Sequence, residues 1–257
     1  MCGRFSLTAS PEELAESFAL LGVEDFPARY NIAPTQPILL VIAGRGREPG
    51  SNLPDRRAML ARWGLTPAWA KNLEDMPLNI NARSETAAEK ASFKAAMRHR
   101  RVLVPASGFY EWRRDGVGKR AQPYWVRPRH CGIVAFGGLL ETYAEPGGSE
   151  IDTAAILTTA ASRDIAHIHD RMPVVIQPQD FDQWLDCRTQ EPRDVAHLMR
   201  SPEEGFFEAI PVSDKVNNAA NAGPDLQERA ELDQPAAPQR PLPEKQKPGD
   251  AGQLTLF

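Results

Sequence analysis

The chain has 257 residues, 42% of them hydrophobic, which is enough for one sizeable core with a tail. A formal net charge of −4 excludes a protein coated in basic surface, while leaving room for a local basic groove of the kind that holds single-stranded nucleic acid. Cys2, Cys131 and Cys187 lack metal-type spacing and cannot all pair; with no signal peptide and no long apolar run, the expectation is a cytoplasmic protein without a membrane segment.

The first five residues, Met1-Cys2-Gly3-Arg4-Phe5, hold the most distinctive chemistry. Aminopeptidases remove an initiator methionine when the next residue is small, and cysteine is small enough. Removal would leave a free α-amine and a thiol on adjacent carbons. This 1,2-aminothiol can condense with an aldehyde through the amine and be closed by the thiol as a five-membered thiazolidine. The α-amine titrates near 7.7–8 and the thiol near 8.5, so both nucleophiles are partly available at neutral pH. The ordinary alternative is a small buried hydrophobe on a first strand.

Downstream, Ser10-Pro11-Glu12-Glu13 opens a helix with Ser10 as cap, Pro11 at the first helical position and Glu13 closing a capping box. Leu14, Phe18 and Leu21 give it an apolar face. Arg29 to Pro34 reads as a polar turn, Ile38 to Ile42 as a buried strand, 44–57 as an exposed loop and Ala58 to Trp63 as a strand. Asn79 to Thr86 leads into a helix through Met97. The Lys94, Arg98, His99, Arg100, Arg101 cluster that closes it is favourable at a helix C-terminus without any ligand. Arg101 to Trp112 alternates as a strand, and Arg114-Asp115-Gly116 suggests a hairpin. Strands follow at Tyr124 to Val126, Gly132 to Leu139, Ile151 to Thr159, Val174 to Ile176 and Phe206 to Val212. Helices are expected after Ser162, near 178–186 and at 192–199.

Short strands outnumber helices and no βαβ alternation occurs. The fold class is therefore α+β: a mostly antiparallel, curved or barrel-like sheet with flanking helices. Residues 2–223 form the folded domain. Residues 224–257 carry six of the 23 prolines and no aromatic before Phe257, which reads as a disordered tail.

Several polar groups exceed what their elements need. Asn81 and Arg83 lie two apart, so an extended backbone points both to one face. Glu111 sits between Tyr110 and Trp112, where desolvation would raise a carboxyl pKa and suit a general acid; an exposed glutamate on a strand is the plain alternative. His167 and His169 alternate without a third ligand nearby, which favours a neutral histidine proton shuttle over a metal site. Trp69 and Trp112 suit either a core or a platform for stacking bases.

Taken together in order, Met1 to Phe5, Arg29 to Pro34, Asn79 to Thr86, Gly108 to Trp112, Ile168 to Pro173 and the asparagine-rich Pro211 to Pro224 closely resemble the SRAP family of abasic-site processing proteins. The resemblance implies that Cys2 captures the ring-opened sugar of an abasic site in single-stranded DNA, with no metal and no organic cofactor. It implies that Asn81 positions the aminothiol, that Glu111 is general acid/base, and that His169 assists Schiff-base proton transfers and reversal. Arg4, Arg83 and Arg171 would hold phosphates, and Pro34, Trp69 and Trp112 would pack on bases. Ala70 stands where similar proteins often carry a second aromatic, a departure that bears on one base-wedging contact and not on the chemistry. The runner-up class is a glutamine amidotransferase, which also matures to an N-terminal cysteine in a Met-Cys-Gly context. The tail ends in Gln253-Leu254-Thr255-Leu256-Phe257, where Gln253, Leu254, Leu256 and Phe257 resemble the short peptides that bind the bacterial replicative sliding clamp. Docking of these residues on the protein's own surface is the alternative. On DNA, the cytoplasmic protein would be nucleoid-associated.

Overall fold

The computed structural model describes residues 2–44, 55–73, 75–114, 121–145 and 147–231. The hairpin expected at 114–116 and the clamp-type peptide at 253–257 lie wholly or mostly outside them, as does most of the 44–57 loop. In chain order the strands are β1 (Arg4–Leu7), β2 (Arg29–Ile32), β3 (Pro37–Ala43), β4 (Arg56–Trp63), β5 (Asn81–Arg83) and β6 (Arg101–Ala106). They continue with β7 (Gly108–Arg113), β8 (Gln122–Pro128), β9 (Val134–Ala144), β10 (Glu150–Ala160), β11 (Arg171–Pro173), β12 (Val175–Ile176) and β13 (Phe207–Pro211). The α-helices are α1 (Pro11–Phe18), α2 (Lys94–His99) and α3 (Phe181–Leu185).

One sheet runs β13-β8-β7-β1-β2, all antiparallel. The other runs β11-β10-β4-β3-β6-β9-β12, and a further β10–β9 pairing closes β10, β4, β3, β6 and β9 into a ring. The expected α+β class with a barrel-like sheet is what forms. Among the described residues, only the contacts of β10 with β4 and β5 are parallel.

The core lies between the two sheets. Phe5 of β1 meets Trp63 edge-on at 5.2 Å and Phe136 at 6.4 Å, and Phe109 meets Phe136 and Phe207 the same way. Edge-to-face rings of this kind add to the burial energy of large side chains. Phe5 is thus the link between the amino-terminal strand and both sheets.

Helix α1 begins as expected. Ser10 Oγ accepts from the Glu13 amide at 3.2 Å, Glu13 Oε2 accepts from the Ser10 amide at 2.8 Å, and Pro11 is at the first turn. Leu14 and Phe18 are buried, but Leu21 is 79% exposed. The helix stops at Phe18 because Ala19 turns left-handed (φ 52°), which rotates Leu20 inward in place of Leu21.

Other expectations are corrected. Arg29 to Ile32 is strand, paired with β1, and the turn is confined to Ala33–Gln36 with Thr35 at φ 70°. Its polar residues reflect internal hydrogen bonding: Asn31 donates to the carbonyls of Val216, Asn218 and Asn221. Residues 84–93 and 163–168 form successive turns, so only Lys94–His99 of the first expected helix is α-helical, and Ala196–Met199 is a 3-10 turn.

The strand read as one run from Arg101 to Trp112 is two. Every residue of β6 is buried within the ring, and the chain bends at Ser107 to cross into the other sheet as β7. Gly108 permits the crossing, since a Cβ there would lie 2.6 Å from the Val126 carbonyl and from Trp125 Nε1. Finally, folded chain persists past Pro224: Leu226 is buried and Arg229 bridges Val212.

Candidate active site

The site forms where the amino terminus, β5, β7 and the entry to β11 converge. Strand β1 runs antiparallel to β7 with Arg4 opposite Tyr110 and Phe5 opposite Phe109. The pairing ends at Arg4, and Cys2, two residues before it, lies near enough to Glu111 for the carboxylate charge to act on its thiol. Cys2 is fully buried, and its Sγ contacts the Arg4 carbonyl at 3.5 Å. Burial pushes the Cys2 thiol well above its ordinary value, and the Glu111 charge adds to the shift.

Asn81 secures the cysteine from the other sheet. Its Nδ2 donates to the Cys2 carbonyl at 2.8 Å, while its buried Oδ1 has no hydrogen-bond partner among the described residues. Parallel pairing with β10 fixes the strand, with Asn81 opposite Ile156 and Arg83 opposite Thr158. Ala82 between them is buried, so Asn81 and Arg83 share the outward face that their spacing requires.

Glu111 is only 2% exposed. Burial raises its carboxyl above the ordinary carboxylate range, opposed by positive charge at the amino terminus and at His169. Glu111, Trp112, Arg114, Ile168 and His169 line one cleft of about 420 Å³. A larger cavity of about 590 Å³ between the Leu20–Phe26 segment and β4 contains none of these groups and is not part of the site. His169 Nδ1 accepts from the Arg171 amide at 3.0 Å in the neutral ring, which places the ring proton on Nε2. The Asp170 carboxylate, 2.9 Å from the same nitrogen, is the partner if Nδ1 becomes protonated. His167 instead meets the Tyr124 ring, and no cluster able to hold a metal occurs among the described residues.

The arginines are held in different ways. Arg4 donates to Asn31 Oδ1 (2.8 Å), Val216 O (2.7 Å) and Asn217 O (3.1 Å). Asn217 Oδ1 also accepts from Trp112 Nε1 at 2.7 Å, so the asparagine-rich loop ties Arg4 to Trp112. Arg83 is exposed. Arg171 donates to Thr158 O at 2.6 Å, and Thr158 faces Arg83 across the ladder. Pro34 is half-buried in the turn after β2. Trp69 is 59% exposed and reaches the Ala91 carbonyl at 3.4 Å, apart from the hydrogen bonds that join the other residues. Ala70 beside it is buried. Asn31, Asn217, Thr158 and Glu85 hold the site without having been singled out by sequence. Asn31 left one trace, a polar residue in an otherwise strand-compatible run.

The family model described as SOS response associated peptidase (SRAP) matches residues 1–219. The chain is 35% identical over 229 residues to abasic site processing protein YoqW of Bacillus subtilis, covering 88% of this chain and 98% of that one. It is 31% identical to abasic site processing protein YedK of Escherichia coli (88% and 98%), and 30% identical to abasic site processing protein HMCES of Gallus gallus (80% and 67%). A solved structure from Bacteroides thetaiotaomicron shares the fold with a TM-score of 0.71 at 22% identity, covering 90% of this chain and all of that one. The chain belongs to the SRAP family.

Proposed function

We propose that this protein processes abasic sites by covalent capture in single-stranded DNA, through the aminothiol that Cys2 presents once Met1 is removed. The observation that carries the reading is the amide of Asn81 on the Cys2 carbonyl, which fixes the residue beside a buried Glu111 whose carboxyl burial raises above the ordinary range. The relatives' names point the same way.

Glu111 protonates the ring oxygen of the abasic deoxyribose and exposes its aldehyde. The Cys2 amine attacks first, because burial holds the thiol protonated and weakly nucleophilic. Loss of one water gives the Schiff base. The thiol sulfur then adds to the imine carbon while its proton passes to the nitrogen, closing the thiazolidine. Aldehyde, amine and thiol thus give one ring and one water. A Schiff base alone hydrolyses and permits β-elimination, which breaks the strand. The ring prevents both. His169 moves protons in Schiff-base formation and in reversal, a lyase-type role that requires no peptide hydrolysis beyond loss of Met1.

Arg4, Arg83 and Arg171 hold flanking phosphates, and Pro34, Trp69 and Trp112 pack on bases. Gln253, Leu254, Leu256 and Phe257 bind the replicative sliding clamp, with two leucines and a terminal aromatic in a preformed pocket. The protein then acts in the cytoplasm, associated with the nucleoid. A labelled peptide of residues 246–257 tested against purified clamp by anisotropy should bind and lose binding on Leu256→Ala; no binding by peptide or full chain would favour self-docking. The capture reading is tested by intact mass spectrometry of mature protein mixed with a single strand carrying one abasic site. The expected product is protein plus DNA minus one water, and unmodified protein alone would refute it.

A further inference from the structure

We propose that Glu85 is an anionic placeholder in the DNA-binding surface: it occupies the Arg171 guanidinium until a backbone phosphate displaces it, and so weakens the hold on intact single strands. The proposal deepens the functional reading above and rests on Arg171 as a phosphate contact.

Arg171 Nη1 and Nη2 donate to the two oxygens of Glu85 at 2.6 and 2.8 Å. This two-pronged pairing uses the same edge of the guanidinium that a phosphate would take. The two partners are unequally anchored. The Arg171 side chain is only 14% exposed and is also fixed by the Thr158 carbonyl, whereas Glu85 is 51% exposed. Glu85 lies on the turn just after β5, two residues beyond Arg83. The cation is therefore anchored by a strand carbonyl, whereas the carboxylate, the more exposed partner, is otherwise held only within its own turn, by Ser84 and its own backbone.

Glu85 is the more exposed member of the pair and lies two residues beyond Arg83, which suits a carboxylate that yields to an incoming phosphate. As a competitor, it has a clear effect. Any strand must displace the carboxylate, so phosphate contacts alone give brief binding. An abasic strand is then retained by its covalent bond, which does not depend on Arg171. Glu85 thereby raises discrimination between damaged and intact DNA.

The test is anisotropy of a labelled intact single strand with mature wild type, Glu85→Gln and Glu85→Asp across a salt series. Glu85→Gln should bind about two- to five-fold tighter, the size expected for losing an exposed ionic competitor. Its salt slope should steepen by up to about 0.7, one phosphate contact's worth. Glu85→Asp keeps the charge and should restore the weaker binding. In a second arm, unlabelled intact strand should inhibit adduct formation on an abasic strand at lower concentration for Glu85→Gln than for wild type. Unchanged or weaker binding by Glu85→Gln would overturn the proposal, because it would make Glu85 a residue that merely orients Arg171. Absence of any wild-type adduct would instead refute the capture reading, and the intact-strand comparison would still decide the role of Glu85.

Discussion

The amide of Asn81 on β5 donates to the main-chain carbonyl of Cys2 at 2.8 Å, joining the segment just before β1 to the sheet that contains the ring. A backbone contact of this kind orients the whole residue, amine and thiol together, whatever the side-chain rotamer. Asn81→Ala should therefore slow adduct formation by about 10²-fold, the cost of a small misplacement of a reacting group. Quenched single-turnover time courses measure it. A wild-type rate would remove Asn81 from the mechanism.

Glu111 carries a prediction of opposite signs for activity and stability. Its folded pKa lies above the unfolded value, so the stability tied to its proton is fully present below about pH 4.5 and is lost as pH rises towards the raised value. At neutral pH the folded protein therefore carries a penalty that Glu111→Gln removes. The variant should melt higher than wild type at pH 8, with the difference shrinking towards pH 4.5, yet form adduct about 10²–10⁴-fold more slowly. Scanning calorimetry at several pH values, with the same time courses, separates the two. A variant that is both less stable and fully active contradicts the assignment.

His169 faces the cleft with Nε2 bearing the proton in the neutral ring. His169→Ala should chiefly slow reversal of a preformed adduct and any strand cleavage. Release of labelled DNA from purified adduct, trapped with excess unlabelled abasic strand, gives the rate directly. Equal release by both proteins would assign the proton transfers elsewhere.

Arg83 is exposed on the same face as Asn81, so it should bind phosphate despite the acidic overall balance. Affinity for a single strand should fall with salt at a slope of about −0.7 per phosphate contact, and Arg83→Ala should flatten it by about one such step. A salt-independent affinity would exclude the basic groove.

Gly108 links fold to site. Gly108→Ala forces its new Cβ against the Val126 carbonyl, 2.6 Å away, at a cost of about 1–3 kcal/mol, and moves the strand that carries Glu111. Denaturant unfolding and adduct rate should fall together.

The candidate reactive residues were easier to pick out of the sequence than the packing around them. Cys2, Asn81 and Glu111 stand out because their groups are reactive or over-polar for their elements, and the capping box of Ser10 and Glu13 is a local signal that tertiary contacts leave alone. Asn31 misled because its side chain bonds to carbonyls near residues 216–221, far away in sequence, and a polar strand residue resembles a turn residue until that partner is known. The break at Ser107 was hidden for a similar reason. All of β6 and the first four residues of β7 are buried, and only the closed ring and the second sheet decide where one ends. The resemblance implied Arg171 as a phosphate contact, and its pairing with Glu85 depends on β10 bringing β5 and β11 together.

The central claim is that the amine and thiol of Cys2 act together. Mature protein and a form that retains Met1 should be mixed separately with a labelled single strand carrying one abasic site, then resolved by denaturing electrophoresis. The mature protein should give a denaturant-stable band, and the Met1-retaining form none, since its Cys2 nitrogen is an amide. Cys2→Ser, matured to a free amine, should give only a band that requires borohydride trapping. An equally stable, borohydride-independent band from the Met1-retaining form would contradict the account.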